Sequence, residues 1–304
     1  MTTIERNNVM SVKTKPTINP ERLLKKPVMK APIYTQPQPA HSQPVGYDFS
    51  KRHIHIMIPC YGGMMSEATT TSLIRFLMVC QQVKLGWSID TMTNESLIPR
   101  GRNNLCAKAM CNTNMTDMLF IDADIRFQPE HILGMIVADK DVIGGLYPKK
   151  ALPIDYVVNI KRGGKCEGPL FEVDTLGTGF LMFKRSVYEK LCVEYADQKY
   201  IDDVGIGKEY EKWMYNIFDV VIDTNGHMLS EDWTFCRRWA ELNGEIWADS
   251  RILLNHLGTY EFHGDREALE RKGLKVVDTS TPEGQAFIAQ MEKNKQEANA
   301  NVSN

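Results

Sequence analysis

The sequence predicts an α/β domain with an open, mixed central sheet flanked by helices. Three observations point there. Short apolar runs of strand length alternate with longer segments whose apolar residues recur at helical spacing. Gly, Pro and Asp punctuate the boundaries between them. One apolar run, residues 118–121 (Met-Leu-Phe-Ile), has the pattern of a strand buried on both faces and stops abruptly at two carboxylates, Asp122 and Asp124. Sheets of this class bind ligands outside the carboxyl ends of their strands, so the two acids mark the expected site.

Residues 1–50 stand apart from the rest. They hold Pro16, Pro20, Pro27, Pro32, Pro37, Pro39 and Pro44, and Arg6, Lys13, Lys15, Arg22, Lys25, Lys26 and Lys30 outnumber Glu5, Glu21 and Asp48. Such a stretch is expected to be an extended basic leader. Either it is a solvated segment over the domain surface, or it is an arm for a polyanion such as DNA. The folded domain is expected over residues 51–265, with a C-terminal helix and polar tail over 266–304.

Residues 53–59 alternate, with Ile54, Ile56 and Ile58 on one face, and predict the first strand. It runs into Pro59-Cys60-Tyr61-Gly62-Gly63, a loop able to bring backbone and the Tyr61 ring to a nucleotide base. A helix over 66–82 and a short strand over 87–92 follow. Pro99-Arg100-Gly101-Arg102-Asn103 opens a helix expected over 102–112. Its start favours anions, and the forks of Arg100 and Arg102 suit phosphate. The plain alternative is a surface loop with two salt-bridged arginines.

In extended chain, residues two apart point the same way, so Asp122 and Asp124 are expected to face one side together. Two unpartnered carboxylates that close would repel each other, and a hard divalent cation, Mg2+ or Mn2+, resolves the conflict while leaving coordination sites for phosphate oxygens. A strand-end turn with two solvated acids is the competing reading.

Pro129 sits early in the next helix. Residues 142–147 read as a strand in which Gly144 and Gly145 suggest a close approach to the backbone, and Lys149 and Lys150 follow it. Residues 156–160 and 170–173 look like hairpin strands around Gly163-Gly164. Gly177-Thr178-Gly179 precedes a strand over 180–183 without continuing as a dinucleotide fingerprint. Residues 195–228 show no period and read as an insertion, either lining an acceptor site or forming a surface excursion. Ser230 is placed to cap a helix running to about residue 243, with Glu231 and Asp232 in its first turn, where the dipole alone would favour acids. A strand over 246–248 follows. His256 is a candidate late metal ligand, though a lone histidine is more often an ordinary satisfied polar residue.

Composition narrows the class. A hydrophobic fraction of 43% with 24% charged residues suits a globular domain, and no apolar run approaches the length of a bilayer span. Seven scattered cysteines without a Cys-x-x-Cys pair argue against a zinc ribbon and a disulfide framework, and fit a reducing cytoplasm. The N-terminus lacks the apolar core of a signal peptide. The formal net charge of −2 gives no global sign of a nucleic-acid partner.

Taken in order, His-Ile-Met-Ile-Pro-Cys-Tyr at 55–61, Pro-Arg-Gly-Arg-Asn at 99–103, Phe-Ile-Asp-Ala-Asp-Ile at 120–125, Gly-Gly-Leu-Tyr-Pro-Lys-Lys at 144–150, Gly-Thr-Gly-Phe at 177–180, Ser-Glu-Asp at 230–232 and His256 resemble the landmarks of GT-A-type nucleotide-sugar glycosyltransferases of the family 2-like group. The resemblance covers about residues 53–265. The segment at 144–150 further resembles enzymes encoded by tailed phages and other viruses, some of which place sugars on hydroxymethylated pyrimidines in DNA.

The resemblance implies a GT-A fold, a nucleoside-diphosphate sugar as donor (uridine diphosphate the expected carrier) and Mn2+ or Mg2+ as cofactor. Pro59 and Tyr61 would line the base, with Arg100, Arg102, Asn103 and Gly145 on the donor side. Asp122 and Asp124 would form the Asp-x-Asp pair, Asp124 the direct metal ligand and Asp122 nearer the ribose, with His256 completing the metal site. Asp232 would be the catalytic base, with Glu231 beside it, in an inverting displacement. Retention, with the leaving phosphate taking the proton, stays open. So does the acceptor: DNA, protein, a lipid-linked group or a saccharide. A nucleotidyltransferase and a non-catalytic DNA- or glycan-binding module are the other classes consistent with these residues.

Overall fold

The computed structural model describes residues 46–203 and 205–274 and parts of 281–289. The leader, save its last residues, and the polar tail expected at the end of the chain lie outside the described residues.

Strand β1 (His53–Cys60) is followed by α1 (Glu67–Val83), β2 (Gly86–Thr93), α2 (Ile98–Cys111), β3 (Asp117–Ile121), β4 (Ile125–Arg126), α3 (Pro129–Ala138) and β5 (Val142–Leu146). Three antiparallel strands come next: β6 (Val158–Ile160), β7 (Cys166–Glu167) and β8 (Leu170–Leu176). Then come β9 (Phe180–Lys184), α4 (Arg185–Glu194), a small hairpin of β10 (Val221–Ile222) and β11 (Met228–Leu229), α5 (Glu231–Glu241), β12 (Trp247–Leu253), β13 (Asn255–Leu257), β14 (Glu261–Phe262) and α6 (Arg266–Arg271).

The main sheet has the order β2-β1-β3-β9-β5-β12-β8-β6, with β7 on β8. β2, β1 and β3 are parallel neighbours, as are β5 and β12, while β9 runs antiparallel between β3 and β5. This is the mixed, helix-flanked sheet that the sequence predicts. A second sheet, β14-β13-β4, joins residues 255–262 to the chain just past Asp124.

Strand alternation divides the core into two layers. Ile54, Ile56 and Ile58 of β1 pack with Leu73 and Phe76 of α1 and Ile132 and Ile136 of α3. Met57 faces the other side, with Leu105 and Ala109 of α2, Leu191 of α4 and Phe235 of α5. Phe120 of β3 is fully buried there and meets Phe218 edge-on at 5.3 Å. Each such side chain stabilises the fold by roughly 1.5–3 kcal/mol through burial.

Several boundaries differ from the sequence reading for physical reasons. α2 starts at Ile98 rather than 102, because Pro99 in the first turn has no N–H to leave unsatisfied. α4 is a helix in a stretch, residues 184–194, to which the sequence reading assigned no element. The short pairs β4, β13 and β14 carry no periodicity long enough to read.

Candidate functional site at the carboxyl end of the sheet

β3 delivers the two acids, but they do not stay side by side. The chain turns at once after Ile121: the Ile125 N–H donates to the Asp122 carbonyl at 3.2 Å, and the Asp122 N–H donates to Gly179 of the β8–β9 turn at 2.9 Å. The expectation of two parallel side chains held for extended backbone, and this backbone is a turn. Asp122 accepts from Arg102 Nη2 at 3.1 Å. Asp124 accepts from Lys150 Nζ, and its Oδ1 stands 3.3 Å from His256 Nε2. Burial alone would raise the Asp124 pKa, but the bonds from His256 and Lys150 outweigh it and hold the carboxyl below the usual carboxylate range.

Arg102 is the centre of positive charge. Its side chain is only 6% exposed, lies over the Phe120 ring at 5.0 Å and reaches both Asp122 and Glu231, the latter from Nε at 3.2 Å. Burial disfavours the guanidinium's charge, but Asp122 and Glu231 more than compensate and raise its pKa. Its Nη1 is buried without a hydrogen-bond partner among the described residues.

Tyr147, just past β5, links the β8–β9 turn to His256. Its hydroxyl accepts from the Gly179 N–H at 3.0 Å, and its ring meets His256 edge-on at 5.4 Å. Burial and then the neighbouring Asp122 push the phenol well above its ordinary pKa, so it stays protonated. Gly179 has to be glycine here. A Cβ on it would sit 2.8 Å from Tyr147 Cζ and 2.9 Å from Asp122 Oδ2, closer than packed atoms tolerate.

The N-terminus of α5 supplies the remaining acids. Glu231 pairs with Arg102, while Asp232 accepts from the Ser230 hydroxyl and from the Trp233 N–H at 2.8 Å. Ser230 occupies the predicted N-cap position, but its hydroxyl donates to Asp232 and makes no capping bond to a backbone N–H. Burial, followed by the Glu231 charge among the effects that push the same way, raises the Asp232 pKa. That gives the carboxylate a stronger pull on a proton than an exposed aspartate has.

Three residues predicted on the donor side, Arg100, Asn103 and Gly145, have other partners. Arg100 makes a two-pronged pair with Glu95, at 2.7 and 2.9 Å, instead of joining Arg102. Asn103 is buried, donating to Asn216 at 3.0 Å and the Phe218 carbonyl at 2.8 Å while accepting from the Phe218 N–H at 2.9 Å. With Asn104, which donates to Asp202, it pins the 195–228 excursion to α2. Gly145 lies in β5 against Ile252, Leu254 and Phe180: the close approach that its sequence position suggested is made by core side chains. Tyr61 stands out from the end of β1 with 68% of its surface exposed, next to the half-buried Pro59 and the buried Cys60. Tyr147 and Gly179 were not singled out as site residues from the sequence. Their signal was faint: an aromatic residue closing a Gly-Gly strand, and a Gly-x-Gly that fits no nucleotide fingerprint.

Among the described residues, no group of three or more His, Cys, Asp or Glu side chains is arranged to hold a metal ion. The pair whose chemistry suits a divalent cation is Asp124 with His256. The Pro148 carbonyl accepts from His256 Nδ1 at 2.8 Å, which leaves Nε2 as the nitrogen facing Asp124. Fixing the ring by a carbonyl on its far nitrogen is the usual support of a metal-binding histidine. Asp122, turned to Arg102, stands outside that pair. Among the described residues, no helix is long and apolar enough to cross a membrane.

No protein-family model matches the sequence, and no curated protein matches it. Solved structures do show likeness. The A197 protein from STIV is 16% identical over 70% of this chain and 94% of its own, with a TM-score of 0.41. A 4-diphosphocytidyl-2C-methyl-D-erythritol synthase from Anaerococcus prevotii is 11% identical over 64% of this chain and 99% of its own, with a TM-score of 0.29. A glycosyltransferase involved in the glycosylation of the major capsid of PBCV-1 is 11% identical over 52% of this chain and 73% of its own, also with a TM-score of 0.29. At such scores these likenesses carry no argument about what this chain does.

Proposed function

We propose that this chain transfers a glycosyl group from a nucleoside-diphosphate sugar, with uridine diphosphate as the expected carrier, to an acceptor hydroxyl. One observation carries the reading. Arg102, Asp122, Asp124, Tyr147, Lys150, Glu231, Asp232 and His256, from segments far apart in sequence, lie on the elements that meet where β3 and β5 end: Arg102 pairs with Asp122 and Glu231, Asp124 pairs with Lys150 and His256, and Tyr147 packs against His256.

The reaction breaks the bond between the anomeric carbon and a diphosphate oxygen, and the departing diphosphate takes the electron pair. The groups placed to meet that charge are Lys150, whose side chain is 40% exposed and able to leave Asp124 for phosphate, and the Asp124–His256 pair. That pair would hold Mn2+ or Mg2+, which when bound neutralises charge on the leaving group. Arg102 is too buried to bind donor directly, and it fixes the positions of Asp122 and Glu231. Asp232 accepts the proton of the attacking hydroxyl, a role that its raised proton affinity suits. Pro59 and the exposed Tyr61 ring are placed on the rim for the base. Attack opposite the leaving group inverts the anomeric centre.

The test is incubation of the full chain with a panel of nucleotide sugars and Mn2+ or Mg2+, reading nucleoside diphosphate release by chromatography. Release from at least one donor, lost in Asp232→Asn when an acceptor is supplied, supports the reading. Release of a sugar 1-phosphate would instead make the chain a nucleotidyltransferase, and no turnover of any donor would refute transfer. Retained configuration in the product, read by NMR, would take the role of base away from Asp232.

A further inference from the structure

A second concavity of about 450 Å3 runs along the outer face of α5. Trp233 and Arg237, one helical turn apart, form its floor. Leu229 and Asp223 of the β10–β11 hairpin form one wall, and Asp174 and Thr175 of β8 form the other. The groove starts one residue past Asp232, to which the Trp233 N–H is bonded. We infer that this groove is the acceptor subsite and that it takes a neutral saccharide. The inference rests on the glycosyl-transfer reading and adds the class of acceptor.

Trp233 is the first reason. Trp residues are highly buried on average, yet this one is 38% exposed, and its backbone N–H holds the carboxylate assigned as base. A flat aromatic face in a groove offers packing to the C–H face of a pyranose ring. The second reason is the polar rim. Thr175 Oγ accepts from Asn159 Nδ2 at 2.7 Å, which leaves its own hydroxyl hydrogen available to donate. Asp174 supplies a carboxylate that accepts from sugar hydroxyls.

The third reason is preorganisation. Asp223 accepts from the backbone N–H groups of Asn225 at 2.9 Å and His227 at 2.8 Å, and from Arg237 Nη2 at 3.1 Å, so the hairpin wall is fastened to α5. The charge balance points the same way. Asp174 and Asp223 face Arg237, with His227 beside Asp223, a lining that offers a polyanion no excess of positive charge and accommodates an uncharged polyol. DNA, the acceptor suggested by the basic leader, therefore does not fit this groove. Exposed Ile222 and Met228 extend the hairpin's apolar edge beyond the groove.

The test uses the full chain and known probes: methyl glycosides of glucose, galactose, mannose and N-acetylglucosamine, with their disaccharides, in saturation-transfer NMR. Uridine diphosphate binding by calorimetry is measured in parallel. Saturation of ring C–H protons is expected for at least one probe. It should weaken about fivefold or more in Trp233→Ala and persist in Trp233→Phe, with nucleotide binding equal in all three. Absent saturation in a chain that binds uridine diphosphate would overturn the inference, as would saturation unchanged in Trp233→Ala. Salt-sensitive binding of a short DNA duplex that is lost in Trp233→Ala would overturn it too, by giving the groove to nucleic acid. Saccharide binding through Trp233 without any donor turnover would keep the subsite and remove the transfer reading, so the two failures are distinguishable.

Discussion

Arg102→Met isolates the electrostatic hub of the site. The guanidinium reaches Asp122 at 3.1 Å and Glu231 at 3.2 Å, and methionine fills most of its volume over Phe120 while removing the charge. Removing one partner of a fully buried ion pair costs roughly 3–5 kcal/mol, because the other charge is left uncompensated. Here the acids keep 27% and 18% of their side-chain exposure, so water screens part of the loss, and about 2–3 kcal/mol is the expected cost at neutral pH. Urea unfolding should show it as a midpoint lower by about 1 M, given slopes of roughly 1–3 kcal/mol per molar. Adding Glu231→Gln removes one of the two stranded carboxylates. The double variant should therefore recover about 1 kcal/mol relative to additivity. A loss below about 0.5 kcal/mol, or strict additivity of the two changes, would refute the hub.

Asp232 and Asp124 should respond to pH with opposite signs. Burial raises the folded pKa of Asp232, so its stabilising contribution is full below the ordinary carboxylate value and is lost as pH rises through the raised one. Asp232→Asn should unfold at a higher urea midpoint than the parent at neutral pH, the gap closing in acid, while turnover falls by a factor on the order of 10² or more; an equal or lower neutral midpoint contradicts this. The folded pKa of Asp124 is lowered, so its contribution is present above the unfolded value and is lost as pH falls through the folded one. Asp124→Asn should therefore be less stable than the parent at neutral pH and equal to it in strong acid, and a gap that persists in acid would count against the Lys150 and His256 contacts. Gly179→Ala should cost about 1–3 kcal/mol in thermal or urea unfolding, since its Cβ collides with Tyr147 and Asp122; a neutral effect would show that the β8–β9 turn is looser than described.

The architecture was legible because it rests on period and punctuation. Ile54, Ile56 and Ile58 announce β1, and Pro129 and Ser230 sit where α3 and α5 begin. That Asp122, Asp124 and Arg102 sit at a strand end and a helix start was likewise readable, whereas Glu231, Asp232 and His256 were expected beside them only from the resemblance of the motifs.

Which way each side chain faces was not readable. The turn at Ala123 separates two acids that extended backbone would have kept parallel. Arg100 and Arg102 look alike in sequence, yet α2 begins early enough to send one to Glu95 and the other into the core between Asp122 and Glu231. Asn103 and Gly145 read as donor contacts, and tertiary packing assigns them to holding the 195–228 excursion and admitting Ile252. Such assignments depend on partners more than a hundred residues away, which local pattern does not encode.

The central claim is that a nucleoside diphosphate seats at Asp124, His256 and Lys150. A crystal of the full chain grown with uridine diphosphate and Mn2+, with anomalous scattering recorded for the ion, tests it most directly. The account predicts an anomalous peak within coordination distance of Asp124 and His256 Nε2, diphosphate oxygens completing its shell, and the Lys150 ammonium shifted from Asp124 onto phosphate. A peak elsewhere, or a nucleotide bound away from the ends of β3 and β5, would contradict it.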